Sequence, residues 1–137
     1  MSTTFTNTLG NTFNLTVNVY AIKNVKEKTG TDIGKLLNEE ALGLKKLTED
    51  PVDMCDVLYV LCEDQADTFG MTDRQFGESM SGDVYEAAVY AFIEAYANFC
   101  PAHLRDVLKQ GLKMGRQQTE SARTEFQDRL EQLDIEK

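Results

Sequence analysis

The chain carries one histidine, three cysteines and two prolines in 137 residues. It has no excess of positive charge and no long uninterrupted apolar run. Each shortage removes a class of function. Net charge is −9, with 14 Lys and Arg against 23 Asp and Glu. Binding to nucleic acid through phosphates needs clustered cations, and so does adsorption to anionic membrane. Neither is expected. Charged or polar residues interrupt every apolar stretch before the length of a membrane-spanning helix is reached. The start, MSTTFTNTLGN, lacks a basic region followed by an apolar run, so no secretory leader is expected. Acidic charge favours solubility, or a partner with a basic surface.

The few groups able to do chemistry do not converge. His103 and Cys100 could be joined as metal ligands, but Cys55 and Cys62 would have to face the same point, and they lie on an apolar stripe. A tetrahedral Cys/His zinc site normally shows close cysteine pairs, which are missing. On one helix Cys55 and Cys62 stand about 10 Å apart along the axis, too far for a disulfide. No cation lies near Cys62 in sequence to activate its thiol. All three cysteines therefore read as buried thiols of a reducing cytoplasm. Acid pairs such as Glu39/Glu40 and Glu63/Asp64 are helix neighbours that do not converge. Gly111 and Gly115 have no phosphate-loop context. The five tyrosines lack interleaved Arg and Lys and read as packing residues. No catalytic residue, cofactor site or metal site is assigned, and the chain is not read as an enzyme.

What is present is mostly helical. Residues 3–19 form the exception. Phe13, Leu15, Val17 and Val19 alternate with polar residues, and Phe5 can join their face, as in a β-hairpin. Gly10-Asn11 suits a two-residue turn. Asn18 can cap a helix over 19–28 that stops at Gly30, and Thr31 or Asp32 can start a short turn carrying Ile33, Leu36 and Leu37. Asn38 is expected to cap a helix over 39–47 that Gly43 weakens by about 1 kcal/mol. Asp50-Pro51 opens a helix over 51–68, with Val52, Cys55, Leu58, Tyr59 and Cys62 as its stripe. Apolar nearly all round, it belongs at the centre of a bundle. Thr72 and Gln75 fit a capping box, and Met71 and Phe76 a hydrophobic staple, for a helix over 73–79. Asp83 and Glu86 repeat the capping-box pattern before a helix over 84–99, where Ala88, Ala91 and Ala95 allow close approach and Glu86, Glu94 and Asn98 mark the wet side.

Pro101 ends that helix and opens another over 102–114, with Leu104, Val107, Leu108 and Leu112 as its amphipathic pattern. Ala122, Phe126, Leu130 and Leu133 recur beyond it at three- and four-residue steps. The fold class expected is mainly α (α+β): an N-terminal β-hairpin packed on a compact bundle of five to six helices. The globular domain is expected to span residues 1–114, with 115–137 as a C-terminal helical extension, helical when bound and frayed or extended when free.

The order of these pieces resembles the tail assembly chaperones of long-tailed bacteriophages and prophages. The features that carry it are the hairpin, the Asp50-Pro51 helix start, the run VLYVLC, the segment MTDRQFGESMSGD and the Ala-rich helix ending in NFCP. The resemblance covers residues 3–112. It implies a small factor in the cytoplasm of the infected bacterial host. Such factors bind the tape measure protein, keep its apolar helical stretches from aggregating and recruit tail-tube subunits. It also implies a frameshift-extended form of the chain as a partner, beside which a homo-oligomer is an expectation. The alternative is a structural tail or head–tail joining protein that stays in the virion. The partner-binding residues expected are Phe13, Leu15 and Val17 on the hairpin face, for which core packing is an equal reading, and Leu112, Phe126 and Leu130 on the C-terminal stripe.

Overall fold

The computed structural model describes residues 3–114. Strands β1 (Thr4–Thr6) and β2 (Thr12–Asn14) pair antiparallel, with Phe5 opposite Phe13. Five helices follow: α1 (Val19–Thr29), α2 (Asn38–Glu49), α3 (Pro51–Thr68), α4 (Asp73–Glu78) and α5 (Asp83–Phe99). A 3-10 turn, Ile33–Lys35, precedes α2. A sixth helix, α6, covers residues 102–114. The protein is mainly α with a small N-terminal hairpin, as the periodicity predicts.

Helix α3 is the central element. It packs against α1, α2, α4, α5 and β2. Both its ends follow local chemistry. The Asp50 carboxylate accepts from Val52 N and Asp53 N at 3.1 Å, and Pro51 occupies the first turn, where no amide is needed. At the other end Met71 N donates to Ala66 O and Gly70 N to Asp67 O, a Schellman pair that requires the left-handed φ of 67° at Gly70. The buried stripe differs from the one expected. Met54, Val57, Leu58, Cys62 and Ala66 face inward, Cys55 is half-buried, and Val52 is 69% exposed. On a helix apolar nearly all round, only its neighbours choose the inner face.

Helix α4 begins with the expected box: Thr72 N donates to Gln75 Oε1 at 2.9 Å, and Gln75 N donates to Thr72 Oγ1 at 3.2 Å. Met71 and Phe76 are both buried beside it. Phe76 then anchors the hairpin. Its ring stands edge-on to Phe13 at 5.4 Å and to Phe5 at 6.5 Å, and Phe13 also meets Phe69 at 5.4 Å. Clusters of this geometry add to the area they bury.

Three local expectations are corrected. The hairpin loop has three residues, Thr8 to Gly10, rather than two. Asn7 N donates to Asn11 O, Gly10 N to Asn7 O, and the Asn7 side chain accepts from the amides of Leu9 and Asn11. Val19, placed on the hairpin face by alternation, is the first residue of α1 and is exposed. At α5 the N-cap is Gly82 rather than Asp83, which is the first residue of the helix.

Helix α2 departs furthest. Asn38 does not cap it. Glu39, Glu40 and Ala41 lie in the left-handed region with φ of 54°, 58° and 64°, and the right-handed helix begins after them. This turn folds Leu36 back onto the helix, where Leu44 N donates to Leu36 O at 3.0 Å. A Cβ on Gly43 would stand 3.1 Å from Leu36 Cα. The glycine that looks like a helix weakness is the point of closest approach.

Candidate functional site

The hairpin residues expected at a partner surface are core. Phe13, Leu15 and Val17 are buried in one apolar cluster with α3, α4 and α5. The free edge of β2 is occupied as well. Asn14, opposite Thr4, turns its N–H and C=O away from β1. Gln65 of α3 takes both groups: Asn14 N donates to Oε1 and Nε2 donates to Asn14 O, each at 2.8 Å. A side-chain amide thus stands where an added strand would pair. Leu112 is buried too, outside that cluster. Phe126, Leu130 and the extension over 115–137 lie outside the described residues.

The apolar surface left open lies elsewhere. Leu104, Val107 and Met114 are exposed on one side of α6, at steps of three and seven residues. Leu9, Val52 and the adjacent pair Val19 and Tyr20 are exposed on other elements. Tyr20, expected as a packing residue, is 75% exposed.

Helix α6 opens at Pro101, whose carbonyl accepts from Leu104 N and Arg105 N. It runs back along α5. Lys109 Nζ lies 3.2 Å from Glu94 Oε1, and Arg105 Nη2 donates to Cys100 O at 3.2 Å. Glu94 was expected on the wet side; its side chain is only 8% exposed. The reason is tertiary. Tyr90, Glu94 and Ala97 share the face of α5 opposite its alanine stripe, and α6 folds over that face. Glu94 Oε2 and Arg105 Nε are buried without a hydrogen-bond partner.

The remaining chemical groups are quiet. Burial pushes the Cys62 thiol up to about 12. Burial, then the carboxylates of Asp56 and Asp73, raise Cys55; burial raises Cys100, with Arg105 opposing. All three are free thiols, protonated near neutrality and poor nucleophiles. A cleft of about 530 Å³ lies where α2 meets α3, lined by Gly43, Lys46, Glu49, Asp50 and Asp53 among others. Its Asp50 carboxylate caps α3, and that charge raises the pKa of Asp53. Among the described residues no three His, Cys, Asp or Glu side chains converge as metal ligands, and no helix is long and apolar enough to cross a membrane.

The fold and its surfaces define a small mainly α protein in which α5 and α6 are joined by an ion pair whose Glu94 carboxylate is buried and half-satisfied. No family model, curated protein or solved structure matches the chain.

Proposed function

We propose that this protein is a tail assembly chaperone of a long-tailed phage or prophage. It binds the apolar helical segments of the tape measure protein and helps recruit tail-tube subunits. It acts by binding rather than by catalysis, in the cytoplasm of the infected cell. A frameshift-extended form of itself is a further expected partner.

The observation that carries this reading is the open apolar stripe Leu104, Val107 and Met114 on a strongly acidic chain. Helix-in-groove binding needs an apolar surface for the client, and acidic charge keeps that surface from self-aggregating. The sequence pattern over residues 3–112 supplies the particular client.

Co-expression with the tape measure protein tests it. The expected result is a soluble complex and a larger soluble fraction of the client. An unchanged soluble fraction with no complex overturns it. Stoichiometric recovery of the protein in purified virions, measured by mass spectrometry, points instead to a structural tail or head–tail joining subunit.

A further inference from the structure

We propose that the α5 face bearing Tyr90, Glu94 and Ala97 is a docking groove for a basic amphipathic helix of the client, and that α6 fills it as an internal stand-in. The inference rests on the chaperone reading and specifies the client's chemistry.

The first ground is the state of Glu94. Its carboxylate is buried, yet only Oε1 meets a cation, and Oε2 has no hydrogen-bond partner. A buried carboxylate oxygen without a donor is costly. The second ground is α6 itself. Arg105, Leu108, Lys109 and Leu112 share one side of α6 by their spacing; Lys109 meets Glu94 from it and Leu108 packs on the core, so the face is already met by an apolar stripe with cations four residues apart. Arg105 Nε is buried and unpaired as well. One cation, Lys109, reaches the carboxylate and one oxygen is left over, while Arg105 is held by the Cys100 carbonyl instead. Helix α6 is therefore an incomplete ligand for the face it covers.

A better ligand follows from the geometry. An arginine at the Lys109 position would offer two parallel N–H donors and satisfy both Glu94 oxygens. A client helix with an arginine inside a leucine stripe would displace α6. The chain's net charge of −9 favours the approach of such a helix and disfavours acidic competitors. Release of α6 would also let its already exposed stripe, Leu104, Val107 and Met114, swing over to cover more of the client.

The probe is a labelled peptide of residues 102–114 carrying Lys109→Arg, with a Lys109→Gln peptide as control. Both are titrated onto the full-length chain, and amide exchange of the chain's own α6 is followed. The Arg peptide should bind about tenfold tighter than the Gln peptide, the difference expected of one charge-assisted hydrogen bond. Saturation should deprotect α6. Lys109→Ala in the chain should tighten binding and Lys109→Arg should weaken it. Glu94→Gln should abolish the preference for arginine; if that variant does not fold, the two Lys109 variants decide.

The inference is overturned if the Arg peptide fails to bind the Lys109→Ala chain, or if its preference survives Glu94→Gln. Protection of α6 that persists at saturation overturns it too. Loss of that protection on raising the protein's own concentration makes a second copy the occupant and overturns it equally. Co-expression separates this inference from the reading beneath it. If wild type and Lys109→Arg solubilise the tape measure protein equally, the chaperone reading stands and the groove falls. If neither does, the chaperone reading falls, and the peptide titration still decides the groove.

Discussion

Gln65 and Asn14, 51 residues apart, exchange two hydrogen bonds of 2.8 Å between a side-chain amide and a strand backbone. A two-stranded hairpin is marginal alone and carries two open edges. Here the central helix closes one of them. The pair also ties β2 to α3 in a fixed register, because the donor and acceptor of Gln65 match the acceptor and donor of Asn14 in one alignment only.

Gln65→Ala is therefore expected to lower stability by about 1 kcal/mol, since water can replace part of this exposed pair. It should also increase self-association at high concentration through the freed edge. Gln65→Glu keeps the acceptor but sets a second carboxylate oxygen against Asn14 O, so it should lose at least as much. Urea unfolding and sedimentation at two concentrations check both effects. An unchanged midpoint for Gln65→Ala removes the edge-closing role.

Asn7 is the second anchor of the hairpin. Its oxygen accepts from the amides of Leu9 and Asn11, and its nitrogen donates to Ser79 Oγ at 3.3 Å just after α4. The residue is buried, so its partners cannot all turn to water. Asn7→Ala is expected to cost about 2–3 kcal/mol. Asn7→Asp keeps the loop acceptor and should recover part of that loss. Equal stability of wild type and Asn7→Ala would contradict the assignment.

The left-handed turn before α2 makes an opposite pair of expectations. Ala41 sits at φ 64°, where an L-residue costs about 1–2 kcal/mol that glycine avoids. Ala41→Gly should leave stability unchanged or raise it by about 0.5–1 kcal/mol, although the same change in a right-handed helix would lower it. Gly43→Ala should destabilise despite its better helix propensity, because the new Cβ would stand 3.1 Å from Leu36 Cα. Thermal melts of the two variants moving in the reverse directions would rule out this turn.

Burial sets the alkaline limit. The Cys62 thiol, with an ordinary value of 9.0, and the Tyr96 hydroxyl, with an ordinary value of 10.0, are each pushed up to about 12, mainly by desolvation. The folded chain therefore keeps protons that the unfolded chain releases. Stability from these groups is full below pH 9 and falls as pH rises toward 12. The melting temperature should drop steeply above pH 9, and Cys62→Ala should start lower but fall less steeply. Equal slopes for the two proteins would exclude the thiol as a contributor.

Local chemistry written in adjacent residues was legible. Asp50-Pro51, Thr72 with Gln75, and Gly70 specify the ends of α3 and α4 because cap, donor and acceptor lie within one or two turns. The alternation from Phe13 to Val17 was legible for the same reason, since each residue's face follows from its position. The interaction residues were less so. Phe13, Leu15 and Val17 carry one pattern whether they meet a partner or their own core, and only the aromatic packing against Phe76 separates the two.

Sequence alone determined the helical class, the hairpin and the limits of the central helix, because these rest on short-range hydrogen bonds and apolar spacing. The tertiary structure decided the rest. It turned Val52 outward, closed the β2 edge with Gln65, and made Gly43 a contact point. It also buried Glu94 beneath α6. A carboxylate on a helix reads as wet until another helix is seen to cover it, and no local signal says which neighbour will fold across that face.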